Sequence, residues 1–136
     1  AFSGRVDNRD MPALYQSASL MLNPSTVDNM PISILEAWAS GVPVVSTDLP
    51  TGVRAVNVHG ETGLVVAPAD AEALAGAIRS LQASEERRRQ MGINGRRRAQ
   101  QRFSREVMAD SILNLYKAMD SRSPGGVPLF QEEPEP

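Results

Sequence analysis

The chain has 136 residues, of which 41% are hydrophobic and six are aromatic, with a formal net charge of −2. This is enough for one compact domain with an aliphatic core, and its charge balance does not predict nucleic-acid binding for the molecule as a whole. The absence of cysteine excludes a disulfide scaffold and a thiolate metal site and suits a reducing compartment. No apolar run approaches the roughly 18 residues that a membrane span needs.

The opening "AFSGRVDNRD" lacks the basic and apolar regions of a signal peptide. It begins without methionine in what reads as a strand over residues 2–6, so the chain is expected to be a piece of a longer protein. Short apolar runs then alternate with helical stretches. "DMPALYQSA" (10–18) is a helix with a proline in its first turn, and "SLMLN" (19–23) is a strand. "PISILEAWAS" (31–40) opens on Pro31 as first helical residue and stops at Gly41. "PVVST" (43–47) and "GLVVA" (63–67) are strands, and "DAEALAGAIRSLQ" (70–82) is a helix with Asp70 as its N-cap. Uninterrupted apolar strands alternating with helices predict βαβ units in a parallel sheet covered on both faces.

Beyond Ser84 no strand signal remains. "SEERRRQMGINGRRRAQQRF" reads as a helix interrupted near Gly92 and Gly95. A second helix follows, with Met108, Ile112, Leu115, Tyr116 and Met119 on one core-facing side. Residues 121–136, rich in Pro, Gly and Glu, are expected to be a disordered tail after a domain over residues 1–120. With three full strands and a fourth at 2–6, the expected fold is α/β: a partial Rossmann-like parallel sheet flanked by helices, the second half of a doubly wound domain.

The stretch "NPSTVDNMPISILEAWASGVPVVST" (23–47) carries the chemistry. A helix beginning near Pro31 presents unpaired N–H groups and a positive dipole end at the carboxyl edge of the sheet, a place suited to phosphate. Glu36 lies roughly 7–8 Å further along the axis, at about 1.5 Å per residue. It shares a side with Ile32, while Ile34, Leu35 and Trp38 fall on the side expected to be buried. A carboxylate accepts two hydrogen bonds, and a ribose offers two vicinal hydroxyls. Asp28, before the helix, would stand on the far side of the diphosphate, where a sugar would meet it and the backbone of Asn29 and Met30. Each acid also has a plain structural reading: Asp28 as an acid near a helix dipole, Glu36 as part of a solvated face.

At these residues the chain resembles the C-terminal, donor-binding domain of the GT-B glycosyltransferases, specifically family 4 of the retaining enzymes. That signature, an acid, seven residues, then Glu-Ala, a small residue and Gly-Xaa-Pro-Val, stands here as Asp28 followed by "EAWASGVPVV". The similarity runs from "GRV" and "MPALYQSASLMLNPS" through "TGVRAVNVHGETGLVVAPADAEALAGAI" to "RRAQQRFSREVMADSILNLY", about residues 2–118. It implies transfer of a sugar from a UDP- or GDP-sugar to a glycan or lipid-linked acceptor with retention, in polysaccharide biosynthesis. The resemblance assigns Glu36 to the ribose hydroxyls and Asp28 to the donor sugar near the reaction centre. Asn29, Met30 and Ile32 match positions that touch sugar and phosphates. No metal or cofactor is implied beyond the donor substrate.

Three departures bear on the sugar: Asp at 28 where Glu is commoner, Pro31 where many members have glycine, and Arg54-Ala55 in place of Pro-Glu. The family's basic pair, an Arg and a Lys that clamp the diphosphate, and its acceptor domain lie upstream of Ala1, so the chain by itself is expected to be inactive. A non-catalytic module that binds a nucleotide or a partner protein is the rival reading.

Eight of the 14 basic residues fall between Arg87 and Arg105. They form either a solvated helical face or a surface drawn to anionic lipid, which would make a cytoplasmic protein peripheral to the inner face of a membrane. RNA is disfavoured because no aromatic residues are interleaved among them. His59 stands alone in a turn-like loop and has no second ligand for a metal.

Overall fold

The computed structural model of the protein describes residues 4–120. The expected strands form as β1 (Met21–Asn23), β2 (Val44–Thr47) and β3 (Gly63–Val66), in one parallel sheet of order β1-β2-β3. Met21 pairs with Val44 and Val44 with Gly63, so each strand starts in line with its neighbour. All four residues of β2 are buried, as a central strand covered on both faces requires.

The helices are α1 (Met11–Ser17), α2 (Ile32–Ala39), α3 (Gly52–Val56), α4 (Ala71–Gln82), α5 (Glu85–Arg102) and α6 (Arg105–Asp120). Asp70 caps α4 as expected, its Oδ1 accepting from the Ala73 N–H at 2.8 Å. Pro31 is the N-cap of α2 rather than its first residue, with ψ at 99° in the extended region. Gly41, beyond the C-cap Ser40, has a φ of 79°, the left-handed geometry that ends helices on glycine.

The described residues fall into two compact units, divided between Gln100 and Gln101. In the first, Val45 and Leu64 of the sheet pack with Ala77 and Leu81 of α4 and Met91 of α5, and Leu20, Val66 and Leu74 extend this cluster. Ile34 and Trp38 of α2 are fully buried, Leu35 is half-buried, and Ile32 and Glu36 are exposed. The division of faces on α2 thus follows its sequence pattern.

Several expectations are corrected. The segment 52–56, to which the sequence pattern assigns no element, is a short helix whose N-cap Thr51 accepts from the Val53 N–H through its side chain. Helix α5 runs unbroken through Gly92 and Gly95. Those two glycines serve close approach, not interruption: a Cβ at Gly92 would collide with the Gly41 carbonyl, and one at Gly95 would stand 2.5 Å from Trp38 Cδ1. Residues 4–6 are not strand, while residues 1–3 and the tail 121–136 lie outside the described residues. In the second unit, Met108, Ile112, Leu115 and Met119 of α6 are exposed, so the core face expected of them is uncovered among the described residues.

The arginine-rich region is partly structural. Arg88 donates to the carbonyls of Leu81 (2.6 Å) and Gln82 (2.8 Å) at the end of α4. Arg98 does the same for Ala55 (2.7 Å) and Val56 (3.2 Å) at the end of α3. Arg89 pairs with Glu86, and Arg87 donates to Ser80 Oγ. Arg96 and Arg97 are exposed. No helix among the described residues is long and apolar enough to cross a membrane.

Candidate functional site

The loop from Asn23 to Pro31 carries the chain from the end of β1 to the start of α2. Asn23, 7% exposed, organises it through both ends of its amide. Its Oδ1 accepts from the Ser25 N–H at 3.3 Å, and its Nδ2 donates to Asp28 Oδ2 at 3.4 Å. The Thr47 hydroxyl at the end of β2 donates to the Ser25 carbonyl, tying the loop to the carboxyl edge of the sheet. Asp28 is half-buried, and Asn29 and Met30 are exposed.

Asn29 and Met30 are seated on the start of α3. A Cβ at Gly52 would stand 2.5 Å from the Asn29 carbonyl oxygen and 3.3 Å from Met30 Cβ, so only glycine lets the loop lie so close. The α2 N-terminus that follows has no side-chain cap. The Ile34 N–H donates to the Pro31 carbonyl at 3.0 Å. Asp28, Asn29, Met30 and Ile32 are thereby grouped around one helix start.

Glu36 is one turn in, on the exposed side of α2. It lines a hollow of about 260 Å³ with Asn8, Met11, Pro12, Tyr15, Gln16, Ala39 and Ser40, between α1 and α2. The Tyr15 hydroxyl donates to Glu36 Oε2 at 3.1 Å. Burial, the hydrogen bond to Glu36 and the charge of that carboxylate together push the Tyr15 phenol up to about 12. Asp28 is not among the residues of this hollow: Glu36 opens onto the α1 side, and Asp28 is held from the β1 side by Asn23.

A larger hollow of about 490 Å³ lies by Asp48, Arg54, Asn57 and His59. Its polar groups already serve one another. Arg54 donates to Asp48 at 2.6 and 3.0 Å and holds that carboxyl below its ordinary range. His59 Nδ1 lies 3.0 Å from the Val65 N–H it accepts from. Buried Asn57 donates to Ser46 Oγ at 2.8 Å and the Leu64 carbonyl at 3.3 Å, and its Oδ1 accepts from Thr62 at 3.0 Å. Size alone therefore does not make this hollow the site; the open acceptors and unpaired helix donors are at α2. Among the described residues no group of three or more His, Cys, Asp or Glu could hold a metal ion.

Sequence reasoning left Asn23 and Tyr15 unassigned. Asn23 carried a usable signal, a polar residue closing an apolar strand run just before a loop. Tyr15 carried none, because its role depends on α1 lying beside α2.

Comparison with known proteins identifies the family and the fold. The family model "Glycosyl transferases group 1" matches residues 1–98. The chain is 39% identical over 105 residues to the D-rhamnosyltransferase WbpZ of Pseudomonas aeruginosa, covering 76% of this chain and 28% of that protein. It is 30% identical over 120 residues to O-antigen chain mannosyltransferase C of Escherichia coli, covering 87% and 32%. Among solved structures, sucrose-phosphate synthase from Thermosynechococcus elongatus superposes with a TM-score of 0.83 at 33% identity, over 90% of this chain and 31% of that one. Anabaena Alr3699/HepE in complex with UDP-glucose shares the fold, with a TM-score of 0.74 at 24% identity over 80% and 30%. The chain spans about a third of the length of the curated relatives it matches. The chain belongs to the glycosyl transferases of group 1, and its parallel sheet and flanking helices follow their GT-B fold.

Proposed function

We propose that this chain supplies the donor-binding part of a retaining glycosyltransferase of family 4. The whole protein would transfer a sugar from a UDP- or GDP-sugar to a glycan or lipid-linked acceptor. The observation that carries the reading is the pairing of an uncapped α2 start with Glu36 one turn inside it, opening onto a hollow. The diphosphate meets the unpaired N–H groups of Ile32 and Ser33 and the positive end of the dipole. Glu36 accepts the ribose hydroxyls from the hollow side, and Asp28, with the Asn29 and Met30 backbone, meets the sugar.

In the reaction, the bond between the anomeric carbon and the β-phosphate oxygen breaks, and the nucleoside diphosphate leaves with the electron pair. An acceptor hydroxyl oxygen bonds to the same face of that carbon and gives its proton to the departing phosphate oxygen. Fixed donors at the helix start stabilise the departing charge. Retention and the role of Asp28 near the reaction centre rest on the motif from Asp28 to Val45. Two relatives are named for D-rhamnose and mannose transfer. D-rhamnose is 6-deoxymannose, which favours a donor sugar of that ring configuration. The 136-residue stretch alone is proposed to bind donor without transferring it. A cytoplasmic location with peripheral membrane contact through Arg96 and Arg97 completes the proposal, supported by their exposure on α5.

Calorimetric titration with UDP and with GDP tests this. Replacing Glu36 by Ala should weaken the preferred nucleotide by about 1–3 kcal/mol, the worth of hydrogen bonds to a charged acceptor. Equal affinity in both proteins would remove Glu36 from the site.

A further inference from the structure

Glu36 is an exposed carboxylate on a helix, with three side-chain torsions of its own. Left alone, it would spend much of its time rotated away from any ligand, and ordering it would subtract from affinity. The structure does not leave it alone. Tyr15, from the neighbouring helix α1, is half-buried and donates to Glu36 Oε2 at 3.1 Å, and both side chains line the same hollow. A tyrosine ring has only two torsions, so it is a stiffer group than the glutamate it holds. A carboxylate has about four lone-pair positions. Tyr15 occupies one, which leaves Oε1 and the second lone pair of Oε2 able to accept further hydrogen bonds.

We propose that Tyr15 is a positioning residue for donor recognition: its hydroxyl pins one oxygen of Glu36, so that the carboxylate presents its remaining lone pairs to the two hydroxyls of the nucleotide ribose. The phenol stays protonated through the neutral range and so remains a donor. Tyr15 touches no reacting atom; it acts through Glu36. The inference rests on the reading of Glu36 as the ribose acceptor given above.

The test separates the two. UDP, GDP and their 2′,3′-dideoxy counterparts are titrated calorimetrically into the full 136-residue chain, and the tighter-binding base is carried forward. Four proteins are compared: wild type, Tyr15→Phe, Glu36→Ala and the double variant, with thermal melts to confirm that each is folded. Tyr15→Phe should weaken the ribonucleotide about three- to tenfold, the range for one lost hydrogen bond, and leave the dideoxynucleotide unchanged. In the Glu36→Ala background the same change should have no effect. Equal weakening of both nucleotides would mean that Tyr15 merely joins α1 to α2, which overturns the inference. So would a preference for ribose that Glu36→Ala abolishes and Tyr15→Phe leaves intact, although the reading of Glu36 would then survive. A ribose preference untouched by Glu36→Ala, or no binding of either nucleotide by wild type, overturns the reading and the inference together.

Discussion

Gly95 of α5 packs directly on the indole of Trp38 in α2. A Cβ at Gly95 would stand 2.5 Å from Cδ1, 2.8 Å from Cγ and 2.9 Å from Nε1 of a ring that is fully buried. A rigid ring cannot yield as a flexible chain end can. Gly95→Ala gains about 1 kcal/mol of helix propensity but should still lose about 1–2 kcal/mol of stability net, through overpacking. Urea unfolding followed by the single tryptophan's fluorescence reads this directly. A variant as stable as wild type would show that α5 can slide away from α2.

Gly52 tests the proposed sugar side of the site. Its missing side chain makes room for the Asn29 carbonyl and Met30. In Gly52→Ala that loop must shift, so nucleotide-sugar affinity should fall about tenfold while stability falls by about 1–2 kcal/mol. Calorimetry with a UDP- or GDP-sugar beside a denaturation curve distinguishes the two effects. Undiminished affinity would detach the loop from recognition.

Asn57, 3% exposed, spends its amide on Ser46, Leu64 and Thr62. Asn57→Asp removes both N–H donors and places a carboxylate among acceptors. The expected cost is about 2–4 kcal/mol, the range for a buried polar group stripped of its partners. A change in the urea midpoint worth less than about 0.5 kcal/mol would contradict the network's role.

Alkaline titration reports on the partly buried setting of Tyr15, of which the bond to Glu36 is one part. The phenol is raised from 10.0 to about 12, first by burial and then by Glu36. A folded value above the unfolded one means that the fold favours the protonated form. Its contribution is therefore complete below pH 10 and disappears as pH rises to 12. The stability difference between wild type and Tyr15→Phe should be flat below that window and shrink within it. A difference that stays constant through the window would sink the assignment.

Much of this was legible from sequence because the signals were local. Apolar runs marked β1, β2 and β3, and Asp70 announced α4 through its own side chain. The exposed position of Glu36 on α2 followed from its spacing against Ile34 and Trp38. What was illegible depended on distant parts of the chain. Gly92 and Gly95 look like helix breakers until Gly41 and Trp38 are placed opposite them. The segment 52–56 is too short for helical periodicity to register, and it is held by Arg98, 42 residues after Val56. Tyr15 looks like any tyrosine until α1 lies beside α2.

Helix α2 is gripped along its length by contacts that tolerate no extra atom: Gly92 against Gly41 just past its tail, Gly95 against Trp38, and Gly52 beneath the loop that leads to its head. An anion arriving at the head would find its donors already immobilised. Capture there should therefore show a favourable enthalpy with little entropic opposition, the calorimetric signature of a rigid receptor.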